Sequence, residues 1–392
     1  MLPLEWFFWF CCAVVAYTYI LYPIFIVILN AVLRTPARRS EPERQRGENP
    51  SLRRQSVSVL LPVYNEEQNL ARRLDELTHM VGGFGEIIVI SDASTDRSAD
   101  IARLHGARVI EMPARQGKAA ALNAGAAAAQ HELLIFADAR QRWADDALAR
   151  LIENFNDPAI GAVSGDLVLE SAPGVLAGVG LYWRFEKWLR KQESRLGSQV
   201  GVTGAISAVR RTLFQPIPPG TLLDDVYWPM RVVLQGYRVV HDERALAFDR
   251  LPEMPRDEFR RKVRTLAGNF QLLTLLPAAA LFPWSNRVWW QWISHKLMRL
   301  AVPWALLGML VSCFILAEDI YQIFLWLQLA GYGVGLLGLI PPLGRSVRLL
   351  GAAASFLVLN AAAWFAFWVW ITGRAGKSWY KVQYQEPGEL PV

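Results

Sequence analysis

Glu132-Leu133-Leu134-Ile135-Phe136-Ala137-Asp138-Ala139-Arg140 reads as a short buried strand that stops at a carboxylate. Leu133 to Ala137 is an apolar run of strand length, and Asp138 ends it. In an open α/β sheet, ligands bind outside the carboxyl ends of the strands. A second run, Glu86-Ile87-Ile88-Val89-Ile90-Ser91-Asp92, ends the same way. Singly, each Asp reads equally well as the cap of the next helix or turn. Two such strands in one alternating pattern point to a site for a phosphorylated, metal-borne ligand.

The alternation extends outward from these strands. Val57–Val63 is a strand, and a helix starts at Tyr64-Asn65-Glu66-Glu67 and runs to Met80, where Gly82 and Gly83 break it. After the strand at Glu86–Ser91, Ser94 or Thr95 caps a helix to His105, and Arg108–Glu111 is a short strand. Gly117–Gln130 is Ala-rich and helical, Asp145–Phe155 is a helix and Gly161–Leu169 a strand. Strands alternating with helices predict a mostly parallel sheet covered on both faces. Neither the Gly-x-Gly-x-x-Gly fingerprint nor a Walker phosphate loop is present.

Further along, Leu181–Lys191 is helical and mixes aromatic with basic residues, fitting a sugar border, a membrane surface or a plain core helix. Val202-Thr203-Gly204-Ala205 is a tight segment before a strand ending at Arg210 and Arg211. Pro216–Gly220 is a loop, and Asp224-Asp225 opens a helix to Gln235. Tyr237–His241 and Arg244–Phe248 read as two strands, with His241 structural. Arg256–Asn269 is a basic helix, and the apolar Phe270–Trp284, cut by Pro277 and Pro283, reads as a segment lying against a bilayer.

Composition adds the membrane. Hydrophobic residues make up 53% and charged residues 19%, with 16 Trp, whereas a soluble domain carries about 25% charge. Phe7–Leu33 holds no charge and exceeds the ~20 residues a span needs. Arg34, Arg38 and Arg39 follow it, which places the next segment in the cytoplasm. Three more apolar stretches, Leu297–Leu316, Ile320–Leu339 and Leu349–Ile371, are of spanning length, and no ionisable residue falls in the middle of any of them. Strict alternation would place Arg374, Lys377 and Lys381 outside, against the positive-inside trend. The net charge of +6 does not indicate nucleic acid, because the basic residues cluster beside apolar runs and no nucleic-acid signature appears. Cys11, Cys12 and Cys313 lie in apolar runs and imply neither disulfide nor metal.

Asp92, Lys118, Asp138, Asp224-Asp225 and Arg261 with Arg264 form a toolkit for moving a group off a diphosphate. Carboxylates hold a divalent cation. Cation and basic residues neutralise the leaving diphosphate. A separate carboxylate deprotonates the attacking hydroxyl.

In this order the motifs resemble the membrane-embedded, inverting family-2 glycosyltransferases, which include cellulose, chitin and hyaluronan synthases. Pro62-Val63-Tyr64-Asn65-Glu66 is similar to the family's opening nucleotide-binding segment, and Ser91-Asp92-Ala93-Ser94-Thr95-Asp96 to the second, with Asp92 at the nucleobase. Gly117-Lys118 through Asn123 resembles the Gly-Lys segment near the donor phosphates. Asp138 matches the first Asp of Asp-x-Asp, and Asp224-Asp225 the acidic pair whose second member is the catalytic base. Thr203 and Gly204 are carried with the substrate-binding residues. Arg261-Lys262-Val263-Arg264-Thr265 stands where Gln-x-x-Arg-Trp is expected. The resemblance covers residues 57 to 270.

Two departures matter. Arg140 replaces the second metal Asp, so a cation is held by Asp138 and the diphosphate, or Arg140 takes over part of the neutralisation. Thr265 replaces the aromatic that lies at the acceptor sugar in processive synthases; Trp143, Trp183 and Trp228 are candidates to stand in.

The resemblance implies an α/β fold, a Rossmann-like, GT-A-type cytoplasmic domain with helical transmembrane segments. The expected organisation is an N-terminal span (1–34), a juxtamembrane linker (35–55), the GT-A domain (56–255), interfacial helices (256–290), three spans (291–373) and a tail (374–392). The expected activity is inverting transfer from a nucleotide sugar, a UDP-sugar first, with Mg²⁺ or Mn²⁺. The acceptor is a growing exopolysaccharide or a lipid or lipid-linked hydroxyl; membrane lipid and secretion-complex subunits are the other partners, and the location is a bacterial inner membrane. The contrasting class is a non-catalytic membrane subunit or transporter with a degenerate sugar-nucleotide domain.

Overall fold

The computed structural model describes residues 2–33, 56–170, 177–250, 255–340, 343–344 and 347–373. The linker 35–55, Arg34 and the basic tail from 374 lie outside the described residues.

The chain enters through α1 (Leu2–Ala16) and α2 (Tyr22–Leu33), joined by a π-helical turn at Tyr17–Leu21. The α/β part follows as β1 (Val57–Val63), α3 (Glu67–Val81), β2 (Gly85–Ser91), α4 (Ser98–Leu104), β3 (Arg108–Glu111), α5 (Lys118–Ala128), β4 (Leu133–Ala137), β5 (Arg142–Trp143) and α6 (Ala147–Glu153). It continues with β6 (Ile160–Glu170), α7 (Ala177–Arg195), β7 (Ile206–Arg210), α8 (Asp224–Leu234) and β8 (Arg238–Arg250). α9 (Pro255–Leu275) and the short α10 (Pro277–Leu281) lead to α11 (Trp289–Gln291), a second π segment at Trp292–Leu297, α12 (Met298–Ile315), α13 (Asp319–Gly338) and α14 (Arg348–Ile371).

The strands form one sheet in the order β3-β2-β1-β4-β7-β6-β8-β5. β1, β2, β3 and β4 pair in parallel, so the carboxyl ends at Val63, Ser91 and Ala137 share one edge. The sheet is mixed: β6 and β8 also pair in parallel, so parallel pairings predominate as expected, but β7 runs antiparallel to both β4 and β6, and β5 antiparallel to β8. This reversal matters for the site. Ile206 opens β7 opposite Ala137, the last residue of β4, so the Val202–Ala205 segment arrives at the edge where Asp138 leaves the sheet. The two strands expected at 237–248 are one, β8, whose pairing with β6 shifts between Ser164 and Asp166.

Each sheet face buries its own apolar core. One holds Leu60, Ile88, Phe136 and Val209 under α5 and α8, together with Leu272, Leu276, Ala279 and Trp292. The other holds Val59, Leu61, Ile135 and Val163 under α3 and α6. The Phe270–Trp284 segment therefore gives Leu272, Leu276 and Ala279 to the α/β core.

Two helix starts differ from the sequence expectation. α3 begins at Glu67 because Asn65 has φ 54, a left-handed conformation that a helix excludes. α4 begins at Ser98, and Ser94 and Thr95 bond to the Asn65 loop instead of capping it.

Four helices are long and apolar enough to cross a membrane: Pro3–Leu33, Trp289–Ile315, Asp319–Gly338 and Leu349–Ile371. The second starts before Leu297, its expected first residue, and so takes in His295 and Lys296 beside Arg299, which already lay within the expected stretch. The path of the last helix differs too. Trp370 stacks on Phe270 of α9 with ring centroids 5.4 Å apart, and Trp304 of α12 meets Trp364 at 4.1 Å. Phe270, Leu300 and Ala366 share a cluster with Leu222, just ahead of α8. The end of α14 thus packs on α9 and the start of α12, beside the α/β part.

Among the aromatics considered for the acceptor, Trp228 is 2% exposed and packs on Phe136 at 5.0 Å. Trp143 is buried, with Nε1 donating to the Ala205 carbonyl at 3.1 Å. Both are core residues, and the side chain of Trp183 lies outside the described residues. Trp228→Ala is expected to lower the stability of the α/β part by about 3–5 kcal/mol, read as a fall in the denaturation midpoint; an unchanged midpoint would show that the ring carries no packing there.

Candidate active site

The site is assembled where β4 ends. Lys118 is the first residue of α5, and its Nζ donates to Asp138 Oδ1 at 2.7 Å. The residue that holds this turn is Asp92. Its carboxylate accepts from the amides of Gln116 (2.7 Å) and Gly117 (2.8 Å), while its own amide bonds to the Val63 carbonyl. Gly117 sits at φ 88, a conformation open to glycine, which lets both amides turn towards Asp92. Asp92 thus links β1, β2 and the Lys118 turn, with lone pairs of its carboxylate remaining for a ligand.

Asp224 and Asp225 open α8, where negative charge is favoured by the helix dipole. The Asp225 carbonyl accepts from the Val202 amide at 2.8 Å, tying α8 to the segment that leads into β7. The Thr203 amide is in turn fixed by Ser164 Oγ at 2.9 Å. Gly204 then faces both charges: a Cβ placed there would lie 3.5 Å from Asp225 Cβ and 3.5 Å from Lys118 Nζ. α9 closes the far side. Gly268 allows its close approach, since a Cβ there would come within 2.5 Å of Leu223 Cγ. That approach brings Arg264, one turn earlier, into the field of the two aspartates.

The electrostatics follow from this crowding. Burial and the Asp224 charge push the Asp225 carboxyl up to about 6, opposed by Lys118, Arg190 and Arg264. Burial disfavours the Lys118 ammonium, but Asp138, Asp224 and Asp225 outweigh it and raise its pKa above the ordinary lysine value.

The segment at Pro62–Glu66 forms a second, adjoining group. Pro62 is opposite Ile90 in the sheet. Asn65 Oδ1 accepts from the Thr95 amide at 2.8 Å, and the Glu66 amide donates to Ser98 Oγ at 2.9 Å. Asp96 bridges the Glu67 and Ser98 amides. The guanidinium of Arg115 lies 3.9 Å over the Tyr64 ring.

Lys118, Asp138, Asp224, Asp225, Gly204 and Arg264 are therefore brought together, with Thr203 behind Gly204 and Asp92 beneath Lys118. Arg261 pairs with Glu258 at 2.9 Å on its own helix. Arg140 is turned to Asp249, with Nε at 3.0 Å and Nη2 at 2.6 Å from its two oxygens. Thr265 is exposed.

Three residues were missed by sequence reasoning. Arg73 is fully buried behind the site, donating to the Asp138 carbonyl at 3.2 Å and pairing with Glu76 at 2.8 Å. It is an arginine at a core-facing position of α3, a signal visible in the helical period alone. Asp249 gave no such signal, because its partner Arg140 lies 109 positions away, and Arg190 gave none because Asp225, on which it acts, lies on another helix.

A divalent cation needs hard oxygen donors, and Mg²⁺ is commonly held by one or two carboxylates plus substrate phosphates. No group of three His, Cys, Asp or Glu is placed to hold an ion among the described residues. Asp138 has one oxygen on Lys118 and the other remaining, a donor set that fits an ion shared with a diphosphate.

Residues 58–217 match the model of glycosyl transferase family 2. Poly-beta-1,6-N-acetyl-D-glucosamine synthase of Staphylococcus epidermidis is 24% identical over 229 residues, 56% of this chain and 56% of that one. The protein of the same name from Staphylococcus aureus is 23% identical over the same shares. The chain thus spans about half the length of the curated relatives it matches. Among solved structures, mannosyltransferase PcManGT from Pyrobaculum calidifontis, in complex with GDP-Man and Mn²⁺, superposes with a TM-score of 0.67 at 20% identity, covering 94% of this chain and 99% of that one. Residues 58–217 thus match glycosyl transferase family 2, and the mixed sheet has the GT-A fold.

Proposed function

We propose that this protein is a membrane-bound inverting glycosyltransferase that moves a sugar from a nucleotide sugar to a hydroxyl acceptor in exopolysaccharide synthesis. The observation that carries the reading is the meeting of Asp225, Gly204 and Lys118, with Lys118 bound to Asp138. A basic group for the acceptor and a cationic seat for a diphosphate face one space, which in-line displacement requires. The exopolysaccharide assignment follows the synthases to which the domain is similar.

Asp225 takes the acceptor proton as its oxygen attacks the anomeric carbon, on the face opposite the leaving nucleoside diphosphate. Lys118 and Arg264 bind the diphosphate and stabilise the charge that develops on it. Asp92 and the Pro62–Glu66 loop seat the nucleoside, a uridine first. Gly204 leaves room for the sugar beside Asp225, and Asp224 keeps the carboxyl of Asp225 basic. Asp138 with the diphosphate would hold a Mg²⁺ or Mn²⁺ ion, which would supply further neutralisation of the leaving group. The α/β part faces the cytoplasm of a bacterial inner membrane, with Arg34, Arg38 and Arg39 on that side.

Asp225→Asn is expected to fold as the parent does and to lower release of free nucleoside diphosphate by roughly 10²-fold or more, measured on detergent-purified protein against UDP- and GDP-sugars. Retention of the parent rate would remove Asp225 from the base role. The pH dependence has a definite sign. A base works ionised, so kcat/KM should fall as pH drops through about 6, the value to which Asp225 is raised. An acid limb in the ordinary carboxylate range, near about 4, would show that another group sets it.

A further inference from the structure

Buried carboxylates fasten distant parts of this chain. On α7, Glu186 accepts from His295 Nε2 at 2.9 Å, Lys296 Nζ at 2.8 Å and Arg299 Nη1 at 2.6 Å, and Glu193 accepts from Tyr22 of α2 at 2.6 Å. Those bonds join α7 to the membrane helices. Asp249, buried near the end of β8, does similar work at the edge of the site. Its Oδ1 accepts from Arg140 Nε at 3.0 Å, and its Oδ2 from Arg140 Nη2 at 2.6 Å and Gln141 Nε2 at 3.0 Å. The sheet sets up this meeting. Arg142 lies opposite Phe248 in the β5–β8 ladder, so the next position of β8 meets the turn that leaves Asp138.

That turn is held from its other side by α3. Arg73 Nε donates to the Asp138 carbonyl at 3.2 Å, and Arg72 Nη2 to the Arg140 carbonyl at 3.1 Å. The Arg73 guanidinium lies 4.5 Å over the Trp143 ring, and Glu76 both pairs with Arg73 and accepts from the Trp143 amide. From Asp138 to Trp143 the chain is therefore fixed to α3 and to β8, while the Asp138 carboxylate meets Lys118. A planar fork on a carboxylate fixes angle as well as distance. Removing Arg140 would leave the buried Asp249 carboxylate without its bidentate partner, a costly state that the turn would have to relax to relieve.

We propose that Arg140 and Asp249 are positioning residues for Asp138: their clasp fixes the turn so that the carboxylate stands where a Mg²⁺ or Mn²⁺ ion shared with the donor diphosphate would be held. This rests on the glycosyltransferase reading and extends it, because it explains how one carboxylate serves where the Asp-x-Asp motif carries two. It also chooses between the roles open to Arg140. The guanidinium orients Asp138 through the backbone and does not neutralise the diphosphate. Partners that orient a metal-binding carboxylate commonly change metal affinity by about 10–100-fold when lost. Restoring an acid at this position is then no gain, since Arg140→Asp sets a second carboxylate against the buried Asp249.

The test uses the full chain in detergent, saturated with UDP or GDP, whichever binds more tightly. Mn²⁺ is titrated in and the paramagnetic resonance signal of the free ion is followed, so binding is read without turnover. Arg140→Gln and Asp249→Asn are each expected to weaken Mn²⁺ binding by roughly tenfold or more, and Arg140→Asp by more than either. Arg140→Lys, which keeps the charge and loses the fork, falls between Arg140→Gln and the parent. The control is Arg244→Gln, which breaks a pair of the same kind on the same strand, with Asp242 at 3.0 and 2.7 Å; it leaves Mn²⁺ binding at the parent value. Nucleotide affinity without metal, carried by Asp92 and the Pro62–Glu66 segment, holds in every variant. Parent-like Mn²⁺ binding in folded Arg140→Gln and Asp249→Asn protein would overturn the proposal, as would a parent chain that takes up no Mn²⁺ with nucleotide. An equal loss in Arg244→Gln, or an equal fall in metal-free nucleotide affinity, would also overturn it, since general loosening of the fold moves both. If Arg140→Gln does not fold, Arg140→Lys decides by the same constants. A chain that shows these shifts but transfers no sugar would defeat the glycosyltransferase reading while sustaining the clasp.

Discussion

A single ammonium group holds the site together. Lys118 Nζ sits 2.7 Å from Asp138 and within the field of Asp224 and Asp225, three carboxylates delivered by two distant parts of the chain. Without a cation between them, these half-buried acids would repel one another, with less screening than in bulk water. The constraint propagates outward. Lys118 must be the first residue of α5 to reach that point, so the turn before it is pinned by Asp92. The turn from β4 must hold Asp138 still, which Arg73 does from behind.

The antiparallel insertion of β7 solves a geometric problem. Parallel strands deliver only their own carboxyl ends to one edge of a sheet. By reversing direction, β7 lets the chain enter at that edge, so Gly204 and the start of α8 join residues from β1, β2 and β4. Close packing of α9 at Gly268 then adds Arg264 from the other side. A glycine at each contact removes the side chain that would separate the charged groups.

Much of this was legible in the residues. β1, β3 and β4 stand where apolar runs bounded by turn residues place them, and Asp92, Lys118, Asp138 and Asp225 lie in motifs whose order fits one chemistry. What escaped has physical causes. The Asn65 turn looked helical because its positive φ comes from tertiary bonds to Ser94 and Thr95, not from local propensity. The start of the second span was hidden by His295 and Lys296, which a hydropathy reading treats as a boundary. Their compensation is Glu186, 109 and 113 positions from His295 and Arg299, a separation that no local pattern reports.

The grip of α2 and the second span on α7 also redefines where the α/β part ends and its anchor begins. Tyr22 and His295 neutralise or satisfy carboxylates that belong, by sequence, to the α/β part. A chain cut free of its spans would leave Glu186 and Glu193 without those partners in an apolar setting built around Leu189 and Tyr22. The first span is thus no interchangeable tether: a generic hydrophobic segment in its place would lack Tyr22 and Asn30, which bond to α7.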